Sequence, residues 1–195
     1  KTAQRELNKI LKNKQIDVNV DPTLLLSKQE WNDLIGKYEN ENEKYILAYT
    51  MDNNQKYFDI VNNLSDQTGY KVVYFDLRNK GFKNIYKNVF LSNPFEFINY
   101  IKNAEYVVTD SFHATAFSLI YSKKLYSCVN ESASRITDLL GTVGMECFLY
   151  TKDRQFELIN NVDYEAAQKI IAEERKKSIS MLSQMIEGEK VDLYD

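Results

Sequence analysis

The sequence predicts an α/β fold built on a doubly wound, mainly parallel sheet. Short apolar runs, each too brief for a helix, recur along the chain at residues 44–50 (KYILAYT), 71–77 (KVVYFDL), 106–109 (YVVT) and 125–129 (LYSCV). They are nearly continuous rather than alternating, the pattern of strands covered on both faces. The segments between them repeat their apolar residues at helical spacing, and the joints carry helix caps instead of hairpin turns. Strand and helix in alternation imply parallel pairing with helical crossovers.

Taken in order, the chain opens on a helical pattern with Leu7, Ile10 and Leu11 on one face. Residues 16–20 form a short strand-like run, which Asp21-Pro22 breaks. Ser27-Lys28-Gln29-Glu30 is a capping box and opens a helix with Trp31, Leu34 and Ile35. Residues 40–43 are a polar loop. After the strand at 44–50, Asp52 or Asn53 caps a helix whose buried stripe is Phe58, Ile60, Val61 and Leu64, and Gly69 stops it. The strand at 71–77 follows; residues 78–88 are polar and ambiguous, and 89–91 supply a short third strand. Asn93-Pro94 starts a helix, with proline at the position pre-organised for it, Glu96 placed to complete the cap and Phe97, Ile98 and Ile101 facing inward. The strand at 106–109 leads into a helix over residues 111–121. A strand at 125–129, a helix from Arg135 to Leu140 closed by Gly141, and a short strand at 148–150 come next. The last helix spans residues 164–186, with Ala167, Ile170, Ile171, Ile179, Leu182 and Ile186 as its stripe, and a frayed tail over 188–195.

The 195 residues, 44% hydrophobic and 27% charged, suit a single α/β domain with a substantial core. A net charge of −3 gives no strong surface for nucleic acid. No apolar run reaches the roughly 18 residues of a membrane span, and the N-terminus lacks the apolar core of a signal peptide. Cys128 and Cys147 have no metal or redox spacing, and a chain with one histidine offers no His-rich metal site. A cytoplasmic location, or a peripheral one at the inner face of the membrane, is expected. Because the chain begins at Lys1 inside a helical pattern, it is expected to be a piece of a longer polypeptide, inactive alone, with part of the site elsewhere.

In doubly wound sheets ligands bind outside the carboxyl ends of the strands, at helix N-termini. Four turns qualify: 50–53, 92–94, 109–113 and 130–135. The richest is Thr109-Asp110-Ser111-Phe112-His113, where Asp110 or Ser111 caps a helix and the single histidine lies in its first turn. A helix N-terminus attracts anions and disfavours an imidazolium, so an imidazole there stands ready to exchange a proton. The alternative is a histidine that merely hydrogen-bonds a neighbouring loop. The helix that follows is apolar on every side, which makes it a central helix. Arg135 opens another helix, where the dipole disfavours a cation unless an anion is present; its alternative is an exposed pair with Asp138. Asp52, Asn53, Ser92 and Asn93 read first as caps.

Asp21-Pro22-Thr23-Leu24-Leu25-Leu26, the aromatic strand at 45–49, Pro94-Phe95-Glu96-Phe97-Ile98 and above all the block from Ile101 to Ser118 resemble the polysaccharide pyruvyl transferase family. Ser134-Arg135-Ile136 and Leu139-Leu140 resemble its later segment, and Arg175, Ser178 and Leu182 its final helix. The likeness covers nearly the whole chain, but only the C-terminal half of a typical member.

The resemblance implies a Rossmann-like C-terminal domain of a glycosyltransferase-B-like architecture, closing on an N-terminal domain across a cleft. It implies transfer of a pyruvyl group from phosphoenolpyruvate to a pair of sugar hydroxyls as a ketal, with phosphoenolpyruvate as donor substrate, a sugar or polysaccharide precursor as acceptor, and no cofactor or metal. His113 becomes the expected catalytic residue. Asp110, Ser111, Phe112, Arg135, Ser92, Asn93 and Asp52 become expected substrate-binding residues. The family's Arg-Leu-His triplet is Ser111-Phe112-His113 here, so its arginine is absent and Arg135 is the nearest candidate to replace it. Cys147 likewise stands where an arginine is expected. The other readings are a nucleotide-sugar-dependent glycosyltransferase and a non-catalytic binding domain of a polysaccharide assembly system.

Overall fold

The computed structural model describes residues 2–11, 16–38, 43–51, 55–75, 81–91, 93–129, 133–151 and 153–187. The strands among them are β1 (Tyr45–Tyr49), β2 (Lys71–Tyr74), β3 (Ile85–Asn88), β4 (Tyr106–Thr109), β5 (Lys124–Cys128) and β6 (Leu149–Tyr150). All pair in parallel, in the order β3-β2-β1-β4-β5-β6. The order reverses between β1 and β4, where Ile46 lies opposite Tyr106 and Tyr49 opposite Thr109. The carboxyl ends of these two strands form the topological switch point of the sheet.

The helices are α1 (Thr2–Ile10), α2 (Lys28–Ile35), α3 (Gln55–Thr68), α4 (Pro94–Asn103), α5 (Phe112–Ile120), α6 (Ser134–Thr142) and α7 (Glu165–Glu187). Because side chains alternate along a strand, β1 sends Tyr45 and Leu47 to one face and Ile46 and Ala48 to the other. The first face packs on α4, α5, α6 and α7 through residues such as Ile101, Phe117, Leu140 and Ile171. The second packs on α3 through Tyr57, Ile60, Val61 and Leu64. The rest of the second face is covered by the irregular segment 153–164, which hangs from three tyrosines of the sheet. Tyr126 and Tyr150 donate their hydroxyls to the Glu157 carbonyl at 2.9 and 3.1 Å, Tyr106 donates to that of Ile159 at 3.1 Å, and the Ile159 N–H donates to the Tyr126 oxygen at 2.8 Å.

Local chemistry sets the element ends. Ser27 Oγ accepts the Glu30 N–H at 3.2 Å while Glu30 accepts the Ser27 N–H at 2.7 Å, completing the capping box. Asn93 Oδ1 accepts the Glu96 N–H at 3.0 Å, with Pro94 at the first helical position. Gly69 ends α3 at φ +70°, a left-handed conformation that favours glycine.

The structure corrects several expectations. Residues 16–20 form no strand; they are irregular and tied to α7 by the Val20 N–H donating to Ser178 Oγ at 3.0 Å. The third strand lies at Ile85–Asn88, ahead of the expected 89–91; its residues are mostly exposed and so carry no apolar signal, and it pairs with β2 across a bulge between Val72 and Val73. Gly141 lies inside α6, and the left-handed glycine beyond that helix is Gly144. Phe148 belongs to a 3₁₀ turn, leaving β6 two residues. Leu7, Ile10 and Leu11 are exposed, and the α7 stripe is spent before Ile186, which is 82% exposed. Asp52, Asn53, Ser92, residues 76–80, most of the 40–43 loop and the tail at 188–195 lie outside the described residues.

Candidate functional site

The helix that opens at the switch point is buried along its length. Every residue of α5 from Ala114 to Ile120 is enclosed, and its hydroxyls turn inward: Thr115 Oγ1 donates to the Ser111 carbonyl at 3.0 Å and lies 3.2 Å from Ser127 Oγ. Ser111 is the cap, accepting the Ala114 N–H at 3.4 Å, while its carbonyl accepts that of Thr115 at 3.0 Å. The N–H groups of Phe112 and His113 come before any acceptor within the helix, and they carry the positive end of its dipole.

Asp110, the other candidate cap, is committed elsewhere. Its carboxylate accepts the Thr50 hydroxyl at 2.7 Å and the Met51 N–H at 2.8 Å, which ties the end of β1 to the end of β4 across the switch point. Its charge is felt nearby: burial first and Asp110 second push the Tyr49 hydroxyl above the usual phenol range.

In front of the switch point lies a cleft of about 740 Å³. Its wall is aromatic, with Trp31, Tyr49, Phe97 and Phe117, and its polar groups are Thr23, Asn93, Ser111 and His113. The starts of α4 and α5 therefore open onto one space. Asn93 uses its side-chain oxygen to cap α4 and to accept the Tyr38 hydroxyl at 3.0 Å. Trp31 is fixed by donating its Nε1–H to the Thr23 carbonyl at 3.0 Å and by standing edge-on to Phe117.

The His113 side chain is 54% exposed, and its Nε2 lies 4.0 Å from Asp21 Oδ1. The same carboxylate accepts the Arg135 Nη2–H at 2.8 Å through Oδ2, and the N–H and hydroxyl of Thr23 at 3.1 and 2.9 Å through Oδ1. The Arg135 guanidinium carbon stands 4.0 Å from the centre of the Phe112 ring, a cation–π stack. Arg135, Phe112 and Asp21 line a second hollow of about 330 Å³, beside their chain neighbours Ser111, His113 and Thr23 in the larger cleft. Arg135 thus pairs with Asp21; Asp138, the partner weighed from the sequence, accepts the Thr2 N–H instead.

The structure gathers His113, Ser111, Phe112 and Arg135 at one corner, sets Asn93 across the cleft, and uses Asp110 as a tie. Asp52 and Ser92 are outside the described residues. Sequence reasoning missed Asp21 and the cleft wall of Trp31, Tyr49 and Phe97. Asp21-Pro22-Thr23 signals a local turn, but nothing in it says where the carboxylate lands. Among the described residues, no three histidine, cysteine, aspartate or glutamate side chains converge as metal ligands do, and no helix is long and apolar enough to cross a membrane.

Fold and site together define an α/β protein with an open cleft at the switch point of a parallel sheet. The sequence model of the polysaccharide pyruvyl transferase family matches residues 1–132, and the chain belongs to that family. No curated protein matches the chain. Among solved structures, the glycosyltransferase SnogD from Streptomyces nogalater is similar over 87% of this chain and 46% of its own, with 8% identity and a TM-score of 0.41. The chain thus spans less than half the length of that protein.

Proposed function

We propose that this chain carries the donor-binding part of an enzyme that moves a pyruvyl group from phosphoenolpyruvate onto two hydroxyls of one sugar, forming a ketal and releasing phosphate. The observation that carries this reading is the lone imidazole in the first turn of α5, half-exposed at a cleft onto which two helix N-termini open. The donor is a small dianionic or trianionic molecule, and the N–H groups of Phe112 and His113 offer it hydrogen bonds without any charge to neutralise first. Arg135, stacked on Phe112, supplies the guanidinium that Ser111 does not, and four of its five N–H donors lie outside the bond to Asp21.

The chemistry takes one proton from each of two sugar hydroxyls and delivers one to the donor's methylene carbon and one to the departing phosphate. The methylene carbon of the donor gains a proton, which leaves an oxocarbenium-like centre at the carbon bearing the phosphate. A sugar hydroxyl adds there and gives up its proton. The carbon–oxygen bond to phosphate breaks, phosphate leaves with a proton, and the second hydroxyl closes the ketal with loss of its own. His113 is the group that accepts the hydroxyl proton and returns one to the donor.

In the full-length protein, His113→Ala should lower kcat for pyruvyl transfer by about 100-fold or more, the usual worth of a positioned acid–base group, with an unchanged melting temperature. Transfer that survives this substitution overturns the assignment. One observation favours a second reading, use of a nucleotide-sugar donor: the family's arginine is replaced by Ser111. Thermal shift separates the two, because only the ligand that binds the folded state raises its melting point.

A further inference from the structure

The reading of His113 as an acid–base group leaves unstated what holds its ring. Three segments distant in the chain converge on one carboxylate. The 3₁₀ turn after Asp21 uses Oδ1 as its cap, α6 sends Arg135 to Oδ2, and α5 sets His113 Nε2 against Oδ1. Asp21 is largely enclosed, with 16% of its side chain exposed, while its partners His113 and Arg135 are more than half exposed. The carboxylate is therefore the fixed member of the cluster, held by two bonds from Thr23, and the imidazole and guanidinium are the adjustable ones.

We infer that Asp21 is the positioning residue of this site, orienting the His113 imidazole through Nε2 and holding the Arg135 guanidinium over the Phe112 ring. The inference rests on the proposed acid–base role of His113. The separation of 4.0 Å is about 1 Å longer than a hydrogen bond. A small turn of the exposed ring closes it, and such contacts commonly tighten only when substrate is bound. With the ring proton on Nε2 and facing Asp21, the unprotonated nitrogen is Nδ1, which becomes the base that takes the hydroxyl proton. The proton that Nδ1 gives the donor methylene is replaced by the one it takes from the hydroxyl, so His113 ends in its starting state, and its imidazolium form lies against a carboxylate. Asp21 itself gains and loses no proton. The same contact ties the cation to the base, since both answer to one carboxylate.

His113 is the single histidine of the chain, so one imidazole gives one set of ring signals. With 15N-histidine labelling at a pH where the ring is neutral, the wild-type chain should show the Nε2–H tautomer in large excess. Asp21→Asn keeps an oxygen to cap Thr23 but removes the charge. It should leave the melting temperature within a few degrees, raise the Nδ1–H fraction at least threefold, and lower kcat for pyruvyl transfer at least tenfold. A purely structural cap predicts no change in tautomer. An unchanged tautomer ratio in Asp21→Asn overturns the inference, as does a wild-type ring that is mainly Nδ1–H, a result that needs no variant to fold. If the full-length protein transfers no pyruvyl group, the functional reading fails, while the tautomer ratio still decides the placement of Asp21.

Discussion

Two aspartates border the mouth of the sheet, and they do opposite work. Asp110 ends β4, and both of its oxygens are taken by the neighbouring strand end, Thr50 and Met51. Asp21 sits on a loop far away in sequence, and its oxygens reach an arginine 114 residues distant and the imidazole of α5. The first locks the architecture from which α5 springs; the second faces the groups that α5 and α6 bring into the open. The aspartate nearer the histidine in sequence ties the strand ends, and the one that lies 4.0 Å from its ring is the positioning residue inferred above.

Substitutions separate the two roles by size of effect on stability. Asp110→Ala should be the costliest, at about 3 kcal/mol, because it leaves a buried hydroxyl and a backbone N–H without their charged acceptor. Denaturant unfolding measures it, and a loss under about 1 kcal/mol would erase the contrast with Asp21.

Cys128 reads the same tie from within. It ends β5 beside the switch point, and burial first, with the charge of Asp110 second, pushes its thiol up to about 12. The thiolate is the reactive form, so Cys128 should resist alkylation at pH 8 while the exposed Cys147 reacts, although burial raises that thiol too. Mass spectrometry should find one labelled thiol in the native protein and two in Asp110→Ala under mild denaturant. Equal labelling of both native thiols would show the strand ends to be loosely held.

The smallest effect on stability belongs to the outer cluster. Arg135 is 63% exposed, and Arg135→Gln should change unfolding by no more than about 1 kcal/mol, since surface ion pairs are worth little. The same substitution should raise the KM for phosphoenolpyruvate about tenfold or more, in line with the loss of a charge-assisted hydrogen bond of roughly 1.5–3 kcal/mol. A KM that stays constant would separate the stacked guanidinium from donor binding.

Much of the sheet was legible because its signals are local. Continuous apolar runs located β1, β2, β4 and β5, and the caps at Ser27, Asn93 and Ser111 are short-range hydrogen bonds that a few residues specify. The edges were harder. The third strand is Ile85–Asn88, mostly exposed, so its residues carry no burial pattern, and the bulge that sets its register is a property of the pair of strands. Residues 16–20 alternate like a strand, yet Val20 finds its partner on α7. At the site, the histidine stood out as the only one of its kind, at the start of an all-round apolar helix. Asp21 did not, because its meaning lies in where a loop returns. Among the expected binding residues, Asp110 also ties the ends of β1 and β4, which no spacing could have foretold.

The irregular segment 153–164 hangs from the sheet by tyrosine hydroxyls, and each of those bonds ends on main chain of Glu157 or Ile159. A carbonyl or an amide is present whatever residue occupies the position. The tethers therefore impose no demand on the identity of those two side chains, only on the tyrosines opposite. The demand on side chains comes instead from packing, on Phe156 stacked on Tyr126 and on Leu158 and Ile159 packed against the sheet, and the whole covering lies beyond residue 132, where the family match ends.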